Sequence, residues 1–388
     1  MRLSKCLRGN YNFRMSFNDL KRKIIQIVGR KGAITFERFM EMALYDAEFG
    51  YYTSGAMRIG REGDFYTSSY LHSAFGAMIG RQIEEFWEFM GKPSEFEVFE
   101  MGAGAGYLCK DIIDSLKERE VSASLKFCII EPVSAIREEQ NSVLRDYGGR
   151  VKWFSSLGEI SGIRGCLLSN ELLDAFPVHL IEMKDGLKEV YVSIEEDRLR
   201  ESPGPISDRA IADYLEEFSV RLAEGYRTEV NLRIKNWLES VAAALDEGFV
   251  LTIDYGYTAR EYYSEDRNRG TLMCYYRHQA IEDPLVNIGE EDITTHVNFS
   301  AVKKWGNEAG FETIGFCGQG AYLTSLGIDE EIKKLSSESK DYLFELARIK
   351  KLILPQGMGE SHQVMIQYKG KGAPKLRGFT LRNRMKYL

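Results

Sequence analysis

The spacing of hydrophobic positions changes near the end of the first quarter of the chain, from a strand period to a helix period. Residues 95–99 alternate between polar and apolar side chains, as in a strand with one buried face. Leu108, Ile112 and Leu116 then recur at the spacing of one helix face. The sequence EMGAGAG at residues 100–106 lies between the two patterns. Strand, glycine loop and helix together predict a ligand-binding turn, because glycines admit a ligand close to the backbone and a helix N-terminus offers free N–H groups.

Further apolar runs predict a parallel sheet. They lie at residues 125–130, 151–154, 166–168 and 249–253, and helical spacing separates most of them. Strands joined by helices form parallel sheets with right-handed crossovers, and ligands bind beyond the carboxyl ends of such strands. The positions to inspect are therefore Gly102–Gly106, Glu131, Ser155–Leu157 and Asn170–Asp174.

Other segments flank this sheet. We expect residues 1–16 to be a disordered leader, residues 17–92 to be a helical N-terminal region, and residues 93–388 to form the main domain. The main domain contains an expected insertion at about 184–228, which begins with a hairpin at Lys184–Leu187 and continues with a helix over 206–223. The polar stretch 260–298 has weak periodicity and predicts a long functional loop. Residues 311–316 and 362–368 predict a final antiparallel pair with a helix between them.

Composition narrows the class of protein. The chain has 388 residues and a net charge of −7, which argues against a nucleic-acid partner held by a basic surface. It has no apolar run long enough to span a membrane, and its six scattered cysteines show no metal-ligand spacing. We predict a cytoplasmic protein with reduced thiols and no metal. The basic first 17 residues leave a mitochondrial transit peptide, and thus the matrix, as the alternative.

The loop spacing and Glu131 indicate the kind of ligand. The third glycine comes one residue earlier than in the dinucleotide motif G-x-G-x-x-G, which favours a ligand other than NAD. Glu131 ends the second strand, where a carboxylate can accept hydrogen bonds from both hydroxyls of a ribose. NAD sites and S-adenosylmethionine sites share that feature. The alternative is a solvated glutamate at a strand end.

Asn170–Asp174 is the second candidate stretch. If it leaves the strand as a turn, Glu171 and Asp174 both face the cleft, where two carboxylates can grip a guanidinium or take a proton. The alternative is that Asn170 or Asp174 caps a helix. His278 and His296 flank two aspartates but match no catalytic triad or metal motif, and a structural role is the simpler interpretation.

These patterns resemble the class I S-adenosylmethionine-dependent methyltransferases, and more specifically the MidA family, whose mitochondrial relatives are complex I assembly arginine methyltransferases. The similarity runs in the same order from residue 34 to residue 328. The stretches that carry it are Ile34–Phe36, Phe39–Met40, Ala43–Tyr45, Gly50–Tyr52, Gly63–Phe65 with Thr67–Ser68, Phe75–Gly76, Asn170–Glu171 with Asp174–Ala175 and Pro177, Asp254–Gly256, Arg269–Leu272, Tyr276–His278, Asp283–Leu285, Asp292–Thr294 with His296–Val297, and Gln319–Gly320 before Leu326–Ile328.

The resemblance implies an α/β fold with a Rossmann-like sheet of seven mostly parallel strands, an added helical N-terminal region and a helical and hairpin insertion. It also implies S-adenosylmethionine as the cofactor, with a loop that closes over it. The cofactor-binding residues that it implies are Gly102, Gly104 and Gly106 at the methionine part, Glu131 at the ribose, Ser156 and Leu157 near adenine, Asn170 near the reacting end, and Asp64, Thr67 and Ser68 in the covering loop.

The relatives further imply a protein substrate methylated on arginine, by analogy a respiratory-complex subunit. Glu171 and Asp174 would orient the guanidinium, and Asn170 and His296 complete the expected catalytic set. A non-catalytic cofactor-binding assembly factor is the alternative, and an NAD-dependent oxidoreductase is disfavoured by the loop spacing. The chain departs from the family where it has Ser69-Tyr70 instead of Pro-Glu, where its glycine loop is spaced by alanines, and near its end at 359–368.

Overall fold

The computed structural model describes residues 19–54, 68–277, 279–339 and 341–388. The chain divides into two compact units. The first combines the N-terminal segment with Ala175–Arg233 and Tyr263–Thr295, and the second combines Tyr66–Asp174, Ile234–Tyr262 and His296–Leu388. The predicted leader at 1–16 lies outside the described residues. The predicted division at residues 92 and 93 stays a prediction.

Strands and helices are numbered in chain order over the described residues. The strands are β1 (Ala33–Thr35), β2 (Phe96–Met101), β3 (Leu125–Ile130), β4 (Val151–Phe154), β5 (Ile163–Asn170), β6 (His179–Met183), β7 (Leu187–Glu195), β8 (Arg198–Gly204), β9 (Arg227–Val230), β10 (Leu245–Tyr257), β11 (Met273–Tyr276), β12 (Gln279–Ile281), β13 (Asp292–Thr294), β14 (Val297–Asn298), β15 (Glu312–Gly318) and β16 (His362–Lys369). The helices are α1 (19–31), α2 (Phe36–Tyr45), α3 (Ser68–Leu71), α4 (Ala74–Phe89), α5 (Tyr107–Leu116), α6 (Ser134–Val143), α7 (Arg209–Glu217), α8 (Arg233–Ala244), α9 (Ala259–Tyr262), α10 (Phe299–Glu308), α11 (Gln319–Ser325), α12 (Ile328–Glu338) and α13 (Tyr342–Ile353).

The second unit is built on one sheet whose main path has seven strands. Their order is β15-β16-β10-β5-β2-β3-β4, and the short β14 pairs with β10 beside this path. Strands β4, β3, β2, β5 and β10 pair in parallel, whereas β16 runs antiparallel to both β10 and β15. The predicted fold class is therefore confirmed. The predicted antiparallel pair at the end of the chain is also confirmed, as β15 and β16.

Helices bury the faces of this sheet. The apolar runs of β2 and β5 are buried on both faces, as expected for central parallel strands. On one face Phe86 of α4 stacks on Phe249 of β10 with 3.9 Å between ring centroids. Helix α4 also approaches α5 closely at Gly76, where a Cβ would lie 2.4 Å from the Cβ of Asp111. Any larger residue at Gly76 would push the two helices apart.

The first unit has two antiparallel sheets of its own. One has the order β1-β7-β6-β9, with β8 paired to β7. The hairpin predicted at Lys184–Leu187 is confirmed, because Met183 of β6 pairs with Leu187 of β7. The helix predicted over 206–223 is shorter and spans only α7. Thr35 starts α2 by accepting a hydrogen bond from the N–H of Arg38 at 3.2 Å, which is an N-cap.

The stretch 260–298 is not the long loop that its weak periodicity predicts. It contains α9 and a three-stranded antiparallel sheet with the order β12-β11-β13. Each of these strands has three or four residues, which is too short to show a clear alternation in sequence. Within the part of the chain that the structure describes, no helix has the length and apolar character needed to cross a membrane.

Candidate active site

The glycine loop between β2 and α5 has a backbone that only glycine adopts easily. Gly102, Gly104 and Gly106 have φ values of +72°, +52° and +87°, in the left-handed region. Gly106 is the residue that precedes α5, so the free N–H groups of the first helical turn follow directly. A Cβ on Gly102 would lie 3.1 Å from Leu172, and one on Gly106 would lie 3.1 Å from Leu144. The loop is therefore closely packed on the protein side.

A buried glutamine holds this loop in place. The Gln140 side chain, fully buried on α6, donates to the carbonyl oxygen of Gly104 at 2.8 Å. The indole N–H of Trp153 donates to the Gln140 side-chain oxygen at 2.9 Å. Because one amide bridges the loop and β4, the middle glycine of the loop has a fixed position before any ligand binds.

Glu131 follows β3 directly and is only 7% exposed, so it is not the solvated glutamate of the alternative interpretation. Its carboxylate accepts a hydrogen bond from the N–H of Val133 at 2.9 Å. Burial raises the pKa of this carboxyl group, although hydrogen bonds oppose the shift. Arg137 donates to the carbonyl oxygen of Glu131 and, at 2.7 Å, to the hydroxyl of Ser155. These bonds connect the end of β3 to the end of β4.

The two residues expected near adenine begin the connection that follows β4. Ser156 is exposed, whereas Leu157 is buried and starts a short 3-10 turn. Leu157 thus offers apolar surface at the same carboxyl edge of the sheet as Glu131.

The turn after β5 is held by Asp254 of β10. One oxygen of the buried Asp254 carboxylate accepts from the N–H groups of Leu172, Leu173 and Asp174 at 3.2, 2.8 and 3.3 Å. Burial and the nearby charge of Glu171 raise the pKa of Asp254 to about 8. No helix follows the turn, since the next element is β6, and the helix-capping alternative for Asn170 and Asp174 is therefore wrong. The turn N–H groups that a helix cap would have satisfied bind Asp254 instead.

Glu171 lies at the centre of a small polar cluster, with its side chain 6% exposed. Its backbone is left-handed, with φ of +52°, which is rare for a residue other than glycine and is common at functional sites. One carboxylate oxygen accepts from the backbone N–H of Ser68 at 3.1 Å and from the Asn170 amide at 3.3 Å. The other accepts from the hydroxyl of Tyr255 at 3.2 Å. The Nε2 atom of His362 lies 3.7 Å from the first of these oxygens. We call Ser68, Asn170, Glu171, Tyr255 and His362 the Glu171 cluster.

The remaining predicted residues lie at or beside this cluster. The side-chain oxygen of Asn170 is buried and has no hydrogen-bond partner within the described residues. Asp174 is buried in the turn that Asp254 holds. The ring of His296 lies 6.0 Å from the ring of Tyr255, so it is next to the cluster on the side of that tyrosine. Ser68 uses its hydroxyl to donate to Gln319 at 3.1 Å.

Two predicted residues of the covering loop, Asp64 and Thr67, lie outside the described residues, as does His278. The structure thus brings together the glycine loop, Glu131, Leu157 and the Asn170–Asp174 turn, all at carboxyl ends of neighbouring parallel strands. That is the edge at which open parallel sheets bind their ligands.

A family model described as "Putative S-adenosyl-L-methionine-dependent methyltransferase" matches residues 78–317. The chain belongs to this family. The resemblance to MidA proteins is confirmed, and the chain is a methyltransferase whose cofactor is S-adenosylmethionine.

A crystal structure from Burkholderia thailandensis, of a protein bound to S-adenosyl-homocysteine, superposes with a TM-score of 0.90 at 30% identity and covers 97% of this chain and 98% of that one. The native crystal structure of a protein from the same organism gives a TM-score of 0.87 at 29% identity, with the same coverage.

Curated relatives are similar over most of their length. "Protein arginine methyltransferase NDUFAF7, mitochondrial" from Bos taurus is 27% identical over 369 residues, which cover 87% of this chain and 81% of that protein. The protein of the same name from Rattus norvegicus is 26% identical over 371 residues, which cover 87% of this chain and 82% of that protein.

The residues at the strand ends fit this cofactor. S-adenosylmethionine has an amino acid end, a ribose with two hydroxyls and an adenine, and it supplies a methyl group on a positively charged sulfur. Glu131 offers a buried carboxylate for the hydroxyls and Leu157 an apolar surface for a base. The Asn170 oxygen, which has no partner in the described part of the chain, is an acceptor that a bound ligand would satisfy.

Three residues that position the site were not predicted to do so. Asp254 holds the turn after β5, Gln140 holds the glycine loop, and His362 contacts Glu171. Asp254 could have been predicted from the sequence, because it lies at the end of a predicted strand and parallel sheets bind their ligands at the carboxyl ends of the strands. Gln140 and His362 depend on tertiary packing, and nothing in their local sequence indicates these contacts.

Proposed function

We propose that the chain transfers a methyl group to an arginine side chain of a protein. The proposal rests on the Glu171 carboxylate, which lies at the same carboxyl edge of the sheet as the glycine loop. Hydrogen-bond donors hold both of its oxygens. The names of the curated relatives support the acceptor, since they are protein arginine methyltransferases. A carboxylate is the side chain that pairs best with a guanidinium.

The proposed roles follow from charge and position. Glu171 pairs with the guanidinium and draws positive charge toward the carboxyl edge of the sheet. Ser68, Asn170 and Tyr255 keep its carboxylate in one orientation, so that the acceptor nitrogen is held in line with the methyl group. Asp174 is the second candidate carboxylate for the guanidinium, and Asp254 fixes the turn that carries both. His296 acts, in this proposal, by packing against Tyr255.

The roles of Gly102, Gly104, Gly106, Glu131, Ser156, Leu157 and Asn170 toward the cofactor remain part of this proposal, as do those of Asp64, Thr67 and Ser68 in a covering loop within residues 17–92. The protein substrate is proposed to be a respiratory-complex subunit by family analogy alone. The relatives are named as mitochondrial proteins, which supports the matrix alternative and does not support the cytoplasmic prediction.

The test is mass spectrometry of extract proteins after incubation with the enzyme and cofactor carrying a labelled methyl group. We expect labelled methylarginine on one or a few proteins. Glu171→Gln keeps the size of the side chain and removes its charge, so the rate should fall about a hundredfold or more. Glu118→Gln, at an exposed glutamate after α5, is the matched control and should retain full activity.

Three results would count against this function. Label on lysine or on a main-chain amine would show a different acceptor. Absence of any label, with normal binding of S-adenosyl-homocysteine, would favour the non-catalytic assembly factor. Equal activity of Glu171→Gln and Glu118→Gln would remove Glu171 from the reaction.

A further inference from the structure

Cross-strand pairing brings a buried histidine to the Glu171 carboxylate. In the antiparallel pair of β10 and β16, His362 is the direct partner of Tyr255. Their rings therefore lie against each other, with 4.1 Å between centroids. Tyr255 donates to one oxygen of Glu171, and the Nε2 atom of His362 lies 3.7 Å from the other oxygen. The first residue of the last strand thus contacts the turn after β5.

The two nitrogens of this imidazole have different surroundings. Nδ1 lies 3.1 Å from the hydroxyl of Ser361. Nε2 is buried and has no hydrogen-bond partner within the described residues, and the His362 side chain is 1% exposed. Buried polar atoms are nearly always paired, so an atom left unpaired among the described residues beside the proposed catalytic carboxylate calls for an explanation. A separation of 3.7 Å is long for a hydrogen bond, but such bonds commonly tighten when a substrate binds.

Arginine methylation requires a group that accepts a proton. As the bond between nitrogen and the methyl carbon forms and the bond between sulfur and that carbon breaks, the positively charged guanidinium must lose one proton to end with a single positive charge. Glu171 is positioned to receive that proton. A protonated Glu171 next to the neutral Nε2 of His362 can pass the proton on and regain its charge, leaving an imidazolium.

We propose that His362 is a positioning residue that acts through Glu171, holding its carboxylate and accepting from it the proton released by the acceptor arginine. The inference rests on the proposed arginine acceptor. Glu171 from the turn after β5 and Tyr255 from β10 face the ring, and His296 lies beyond Tyr255. Asp254 of β10 accepts hydrogen bonds from the N–H groups of that turn.

The decisive variant is His362→Gln. A glutamine amide can donate a hydrogen bond to Glu171 and nearly fills the space, but it cannot take up a proton. We expect kcat to fall by at least about tenfold, with the KM for an arginine peptide and the affinity for S-adenosyl-homocysteine within about twofold of the original. His179→Gln is the matched control, because His179 also contacts a buried carboxylate, Glu189 at 2.8 Å, and it belongs to the first unit and not to the Glu171 cluster. It should keep the original kcat.

The pH profile separates a proton acceptor from a merely structural residue. A protonated imidazole cannot accept a second proton, so kcat of the unmodified enzyme should fall toward acid pH. In His362→Gln that fall should move to lower pH. An unchanged acid side of the profile, or a kcat equal to that of His179→Gln, would overturn the proposal.

A measurement without turnover tests the contact itself. In nuclear magnetic resonance spectra of the enzyme, Glu171→Gln should shift the ring signals of His362 and leave those of His179 unchanged. No shift at His362 would mean that the two groups do not interact, and would overturn the inference whatever the acceptor is. If the unmodified enzyme makes no methylarginine, the proposed function is wrong, and so is the proposed proton transfer from Glu171 to His362. If His362→Gln makes as much methylarginine as the unmodified enzyme, only the role of His362 is ruled out and the proposed function stands.

Discussion

Buried carboxyl groups near the site differ in how many hydrogen bonds they receive, and this decides what each can do. Asp254 accepts four backbone N–H groups, three from the turn and one from Tyr255 at 2.8 Å. Glu171 accepts bonds on both oxygens and keeps its contact with His362. Glu100, just before the glycine loop, has one oxygen without a partner among the described residues. Asp254 therefore has a structural role, and burial disfavours the charged form of Glu100.

Glu100 predicts a pH dependence of folding stability. Burial raises its pKa to about 8 from the ordinary 4.5. Between these values the folded chain keeps the proton and the unfolded chain loses it, so the free energy of unfolding falls as pH rises. This one group should contribute a fall of about 1.4 kcal/mol per pH unit between pH 5 and 7.

Urea unfolding at several pH values checks this prediction. Glu100→Gln has no carboxyl group to titrate at this position. Its free energy of unfolding should therefore fall less steeply with pH than that of the original chain, and the two slopes should differ by about 1.4 kcal/mol per pH unit. Other buried carboxyls, such as Asp254, titrate equally in both proteins and cancel in the comparison. Parallel stability curves for the two proteins would show that Glu100 is ionised in the folded state.

At the scale of elements, the glycine loop allows a test that separates backbone strain from ligand binding. Alanine at Gly106 must adopt φ of +87° and place a Cβ 3.1 Å from Leu144. We expect a loss of about 1–2 kcal/mol in stability. We also expect S-adenosyl-homocysteine to bind at least about tenfold more weakly, because the loop backbone must move.

Gly186 provides the matched control in the hairpin between β6 and β7. Its φ is +100°, and a Cβ there meets no atom within 4 Å. Gly186→Ala should lose stability through strain alone and bind the ligand normally. Calorimetric titration of both variants with S-adenosyl-homocysteine measures the two affinities. If Gly106→Ala binds as tightly as Gly186→Ala, the loop does not contact the cofactor.

The sequence predicts the strands and helices whose hydrophobic positions recur with a clear period. It does not predict contacts between residues that are distant in sequence. The strands of the main sheet are long, apolar and separated by helices, so residues such as Gly102, Glu131 and Asn170 could be assigned to its carboxyl edge. The three-stranded sheet within 260–298 has strands too short to show a period. His362 reaches Glu171 only because β16 returns antiparallel beside β10, and a register one residue different would turn its ring to the other face.

At the scale of the whole molecule, the chain carries 58 acidic and 51 basic side chains and has a net charge of −7. A peptide acceptor whose arginine is flanked by lysines is positively charged and is therefore attracted before it binds. Salt screens that attraction, since the Debye length is about 10 Å at 0.1 M ionic strength. Under the proposed function, the kcat/KM for such a peptide should fall several-fold between about 50 and about 300 mM salt.

A second peptide with glutamates in place of the flanking lysines makes this prediction specific. Because the net negative charge repels it, its kcat/KM should be lower at low salt and should rise or stay constant as salt increases. The kcat at saturating peptide should change little for either, since salt acts on the encounter and not on the buried Glu171 cluster. Steady-state rates at four or five salt concentrations give the slopes. An equal decline for both peptides would mean that salt acts on the fold or on cofactor binding, and that the acidic surface does not select basic acceptors.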